Sequence, residues 1–156
     1  MHHWVYIEHN RAVMIVARYE TRGKKTYRQF RFENQECVEG MPTIPYPLFG
    51  LETLSYKSPI DSLMICEGEK CASLLHRLHW PAFTTPLGAT NVSCTDFNPL
   101  RYYRQFLILR DNDAPGAAFA REVAVAIKKV SQEAVIYVCN IMPEIKGMDV
   151  IDWVNK

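Results

Sequence analysis

A chain of 156 residues, 48% of them hydrophobic, is long enough for one compact core with room for a small appendage, which excludes a disordered polymer. A formal net charge of +1 excludes a global field for nucleic acid, so any such contact must come from a local patch. The cysteines (Cys37, Cys66, Cys71, Cys94 and Cys139) form no C-x-x-C pair, which argues against a disulfide framework or a structural zinc and for a reducing, cytoplasmic setting. No apolar run reaches membrane-spanning length and no signal-peptide pattern opens the chain. His2-His3 reads as an untethered terminal pair or a tag remnant ahead of a metal site.

In chain order, residues 4–7, 12–19 and 26–32 are rich in β-branched and aromatic side chains and predict strands. His9-Asn10 and Gly23-Lys24 separate them as turns, giving a small antiparallel meander. Arg18, Arg22, Lys24, Lys25, Arg28 and Arg31 give it a basic edge, interleaved with Tyr27, Phe30 and Phe32. Such an edge is either a surface for a nucleic-acid backbone and its bases or a solvated edge strand protected by charge. Pro42, Pro45 and Pro47 mark an irregular connector, and Leu48–Leu51 predicts a short helical turn before Ser58-Pro59.

From Ile60 the pattern becomes α/β. Strands are predicted at 62–66, 82–85, 105–109 and 134–139. Between them lie a helix carrying Cys71, Leu74, Leu75 and Leu78, a helix over 96–104, and a helix opening at Ala117 with Ala120, Val123, Ala124 and Ile127 on one face. Residues 146–154 read as a loop running into a short helix. Alternating strands and helices imply a four-stranded parallel sheet with flanking helices, preceded by the β-rich piece. The division is 1–57 for the small N-terminal subdomain with its connector and 58–156 for the α/β domain.

In such a sheet every strand delivers its carboxyl end to one edge, where ligands bind. Glu67 and Glu69 follow the first strand, Gly88 the second, Asp111 and Asp113 the third, and Asp149 and Asp152 lie in the segment after the fourth. Random surface acids have no reason to gather on strand ends. Close carboxylates repel, so the set calls for a proton or a hard divalent cation, Mg²⁺ above all. Other readings of Asp111-Asn112-Asp113 fit less well. Pro115 occupies a position that an EF-hand fills with a ligand, and a haloacid-type phosphatase wants Thr or Val there. No Walker A loop or dinucleotide glycine fingerprint is present. Of the Glu67-Gly68-Glu69 run, Glu67 sits right at the strand end, whereas Glu69 is expected to favour the dipole of the following helix.

Taken together, Ile65-Cys66-Glu67-Gly68-Glu69-Lys70, Gly88, Asp111-Asn112-Asp113-Ala114-Pro115-Gly116 and Lys146-Gly147-Met148-Asp149 resemble the Toprim domain of bacterial-type primases, type IA and II topoisomerases and certain nucleases. Pro47–Leu51 before the glutamate run, the Gly23-Lys24-Lys25 turn and the closing Asp149–Trp153 resemble plasmid and phage primases or primase-helicases more closely. The resemblance implies that Asp111, Asp113 and Asp149, with Glu67, hold Mg²⁺ or Mn²⁺, and that Glu67 serves as general base or acid. It implies that Gly68, Lys70 and Gly88 line the nucleotide side of the site, Gly88 by permitting close backbone packing. Lys24, Lys25, Arg28 and Arg31 are the nucleic-acid candidates.

The implied activity is primer synthesis on a DNA template in replication of a mobile element or bacterium: a ribose 3′-hydroxyl attacks the α-phosphate of an incoming nucleotide. Implied partners are template, nucleotides, and a replicative helicase or further primase modules, with no membrane. Primases often carry an acid four residues after the catalytic Glu, where this chain has Cys71. The alternatives are a Toprim nuclease or topoisomerase-like strand cleaver, and a non-catalytic module that binds nucleic acid or a replication partner.

Overall fold

Three two-residue turns build the N-terminal sheet: His9-Asn10 (φ 49° and 59°), Arg22-Gly23 (50° and 75°) and Asn34-Gln35 (49° and 71°). Positive φ at both central residues marks the hairpin turn whose twist matches that of its flanking strands. The turns join β1 (His2–Glu8), β2 (Arg11–Thr21), β3 (Lys24–Glu33) and β4 (Glu36–Glu39) into an antiparallel meander of that order. The structure, a computed structural model, describes residues 2–56, 62–140, 145 and 149–154.

The three expected strands lie inside β1, β2 and β3, which run longer. The second turn falls one residue earlier than expected, and β4 is an additional strand whose four residues carry no apolar stripe to announce it. His2 and His3 are not untethered. They pair in register with Arg18 and Ala17.

The second sheet holds β5 (Ser62–Cys66), β6 (Ala82–Phe83), β7 (Gln105–Arg110) and β8 (Val135–Asn140) in the order β6-β5-β7-β8, every neighbouring pair parallel. Among the described residues three α-helices accompany it: α1 (Glu69–Arg77), α2 (Ala114–Val130) and the short α3 (Val150–Val154). Side chains alternate between the two faces. On one face Leu63, Ile65, Phe106 and Ile108 pack against Phe119, Ala120, Val123 and Ile127 of α2. On the other, Cys66 and Leu109 pack against Cys71, Ala72 and Leu75 of α1. Tyr6, Met14 and Val16 of the meander belong to that same second cluster. The two sheets therefore share a core, and the meander covers a face that α1 alone leaves open.

Two helix expectations fail for local reasons. Over 96–104 only a 3₁₀ turn forms, at Asn98–Leu100, after another at Gly88–Cys94. The Asp96 side chain accepts from the Asn98 backbone N–H at 2.9 Å, and Pro99 offers no N–H to extend the turn. In contrast, α2 begins at Ala114 rather than Ala117, because Asp113 caps it and Pro115 is tolerated in a first turn. Leu48 and Phe49 are buried rather than helical, and a 3₁₀ turn starts at Leu51. Leu78 lies past the end of α1 and is exposed.

One hydrogen bond ties the meander to α1: the Tyr6 hydroxyl donates to Glu69 Oε1 at 2.7 Å, with both side chains buried. Tyr6→Phe keeps the ring packing but leaves a buried carboxylate short of a donor. It is expected to cost about 1–3 kcal/mol, read as a lower urea midpoint with an unchanged denaturant slope.

Candidate functional site

The loops that leave the strands build the carboxyl edge of the parallel sheet. After β5, Glu67 leads into Gly68, the N-cap of α1, at φ 90° and ψ 151°. That backbone region is open essentially to glycine alone. The Gly68 N–H donates to Thr84 Oγ1 at 2.9 Å, which pins the loop to the end of β6. No described atom lies within 4 Å of where a Gly68 Cβ would stand, so the space before α1 is open.

After β7, Asp111 and Asp113 occupy a tight loop. The Asp113 N–H donates to the Asp111 carbonyl at 2.9 Å, and Asp113 Oδ1 accepts from the Gly116 N–H at 2.7 Å. A Cβ on Gly116 would run into the Asp111 carbonyl oxygen, so the Pro115-Gly116 pair is what lets α2 start directly under the two acids. Arg110 reaches back to the Asp111 and Asp113 carbonyls at 3.1 and 3.3 Å. Asn140, at the end of β8, donates to Asn112 Oδ1 at 3.0 Å, and Asn112 donates to the Ile145 carbonyl at 2.8 Å. The acidic loop is thus braced from both sides.

Asp149 opens the last helix. Its Oδ1 accepts from the Ile151 and Asp152 N–H groups at 2.7 and 2.9 Å. The neighbouring Lys146-Gly147-Met148 of the motif lies outside the described residues.

Electrostatics show which acids act on one another. Burial, then the charges of Glu67, Asp149, Asp113 and Asp152, push the Asp111 carboxyl up from 3.8 to about 7. Burial and the charge of Asp113 raise Glu67 as well, and Glu67 Oε2 is buried with no hydrogen-bond partner among the described residues. Glu67, Asp149, Asp113 and Asp152 thus lie within electrostatic reach of Asp111. Among the described residues, no three His, Cys, Asp or Glu side chains stand close enough to hold an ion as they are.

Cys71 belongs to this neighbourhood: burial pushes its thiol up to about 12, with Asp149 and Asp111 the next causes. It is a neutral group at neutral pH. Gly88 lies beside Glu67, where a Cβ would sit 3.5 Å from Glu67 Cγ. That is an ordinary contact, so the backbone at φ 61°, rather than crowding, is what favours glycine. Lys70 is exposed on α1.

Glu69 stands in the first turn of α1, as expected, but is also drawn into the core. It is 5% exposed and its carboxyl is raised by burial, while the Tyr6 hydroxyl and the N–H groups of Glu69 and Leu87 hydrogen-bond to it and partly offset the rise. Spacing gives no sign of this, because the partners come from β1 and from the loop after β6.

The basic residues of the meander do not form one patch. Register places Lys25, Tyr27 and Arg31 on the face that carries Arg18 and Val16, and Lys24 and Arg28 on the opposite face. Arg28 pairs with Glu39 at 3.3 Å, and Arg31 with Glu33 at 2.6 Å.

No family model matches the chain, and no curated protein matches it. Among solved structures, the primase fragment of the bacteriophage T7 primase-helicase protein is similar to this chain, with a TM-score of 0.49 at 15% sequence identity, over 83% of this chain and 54% of that one. The chain spans about half the length of that fragment.

Proposed function

We propose that the chain is a primase-type Toprim unit that carries out Mg²⁺-dependent nucleotidyl transfer in primer synthesis on a DNA template. The observation that carries this reading is the convergence of Glu67, Asp111, Asp113 and Asp149 on one sheet edge, in the motif order of that family. The donor set suits a hard cation: it offers oxygen alone, it is charged in excess, and it includes a buried carboxylate oxygen without a partner among the described residues. Asp111, Asp113 and Asp149 would hold Mg²⁺ or Mn²⁺, which when bound neutralises phosphate charge and lowers the pKa of an attacking hydroxyl. Mg²⁺ commonly takes only one or two carboxylates and fills its remaining positions with water and substrate phosphates. An arrangement with fewer than three converging side chains is compatible with that habit. Glu67, half-buried and raised by burial and then by the charge of Asp113, suits the exchange of a proton with the 3′-hydroxyl.

Neither Tyr102 nor Tyr103 is placed as a topoisomerase-like nucleophile. Tyr102 and Tyr103 precede β7, at the amino edge of the sheet, roughly 20 Å from its carboxyl edge across six residues. One observation favours a second reading, a non-catalytic nucleic-acid or replication-partner module: a neutral Cys71 stands beside Asp149 and Asp111 where primases often place an acid. No described helix is long and apolar enough to cross a membrane.

Calorimetric titration of Mg²⁺ and Mn²⁺, with and without nucleoside triphosphate, separates the readings. Saturable binding in the wild type that disappears in Asp111→Asn/Asp113→Asn, which retains a capping oxygen, is expected, together with template-dependent primer formation lost in Glu67→Gln. Absence of ion binding even with nucleotide, alongside DNA binding indifferent to the acids, would overturn the catalytic reading in favour of the module.

The Asp111 shift also sets a pH dependence. A carboxyl raised from 3.8 to about 7 in the folded state binds more protons there than in the unfolded chain across that window, so its effect on stability is increasingly unfavourable as pH rises from about 4 to 7. Asp111→Asn is expected to melt a few degrees above wild type at pH 8 and level with it near pH 4, and Mg²⁺ should narrow the gap at pH 8. Thermal unfolding across pH reads both effects.

A further inference from the structure

A cleft of about 380 Å³ opens between the meander and the acidic edge, lined by Tyr27, Gly68, Glu69, Leu87 and Gly88. We propose that it receives the base of a nucleotide whose phosphates reach the carboxylate cluster, with Tyr27 as the stacking platform. The inference rests on the nucleotidyl-transfer reading and names where its substrate's base goes.

Four observations support it. Tyr27 is 46% exposed and Leu87 37% exposed, which presents an aromatic and an aliphatic surface to one cleft. Its glycine-built side is unobstructed before Gly68, so a flat ring meets backbone rather than side chains. Gly88 lies beside Glu67, where a Cβ would stand 3.5 Å from Glu67 Cγ, so one wall of the cleft adjoins an acid of the edge. Arg18 lies opposite Tyr27 in register and therefore on the same face. One of its terminal nitrogens contacts Glu20 at 2.9 Å, while its Nε is buried with no partner among the described residues. A guanidinium thus stands on the same face of the sheet as the aromatic ring. A ring-sized slot beside a carboxylate edge, with a guanidinium on the same face as its aromatic wall, matches a molecule that is aromatic at one end and polyanionic at the other. Base–aromatic stacking tolerates every base, so Tyr27 supplies affinity rather than sequence choice.

The base could belong to a free nucleoside triphosphate or to the end of a strand, and calorimetry with Mg²⁺ distinguishes the two. The probes are ATP, inorganic tripolyphosphate and a short single-stranded oligonucleotide, with wild type, Tyr27→Ala and Tyr27→Trp. Tyr27→Ala is expected to weaken ATP binding roughly 5- to 100-fold and leave tripolyphosphate unchanged, while Tyr27→Trp retains ATP binding. Loss confined to the oligonucleotide would assign the cleft to a strand end. Tyr27 is a surface residue, and unchanged melting of the variants checks the fold. If ATP and oligonucleotide bind equally well to wild type and Tyr27→Ala, the cleft assignment fails while the carboxylate site stands. If wild type binds none of the three probes, both readings fail together.

Discussion

The buried carboxylate of Glu69 is the constraint on which the arrangement depends. A carboxylate removed from water is costly unless donors replace its hydration. Here the Tyr6 hydroxyl and the backbone N–H groups of Glu69 and Leu87 do so. Those donors belong to the meander, to the start of α1 and to the loop after β6. Each element is therefore held in place by the same group, and Glu67 and Gly88 are its neighbours in sequence or space. Loss of any donor would penalise the charge and loosen the edge that carries the acids.

The acids that crowd this edge are also structural. Asp113 caps α2 and Asp149 caps α3, so each commits one oxygen to helix N–H groups. Capping fixes the side chains' position before any ligand arrives, which reduces the ordering cost of binding. Charge is concentrated as a result, and burial first, then that crowding, raises the Asp111 and Glu67 carboxyls.

Much of the framework is legible because it is periodic. The run Ser62–Cys66 is an expected strand with the expected ends, and β7 and β8 follow from their apolar runs. That Glu67, Asp111 and Asp113 leave the sheet at one edge follows from parallel strands, since the carboxyl ends of β5 and β7 must lie together. The hidden part is set by contacts distant in sequence. Glu69 reads as a helix-start acid because Tyr6, 63 residues away, leaves no local mark. The basic residues read as one edge because composition does not show that neighbours in a strand face opposite ways. Residues 96–104 read as helical by spacing, and a single Asx turn before Pro99 redirects them.

The three tight hairpins bear on the order of assembly. Each closes over two residues, so the chain entropy lost at each step is small and pairing can begin locally. The parallel sheet has no such route: joining β5 to β7 brings Ser62 to Gln105 across 43 residues, and contacts of that separation form slowly. The meander is accordingly the part able to form early. Until α1 is in place, its Tyr6, Met14 and Val16 face water, so the interval before the second sheet closes is when this chain is most exposed to unproductive association.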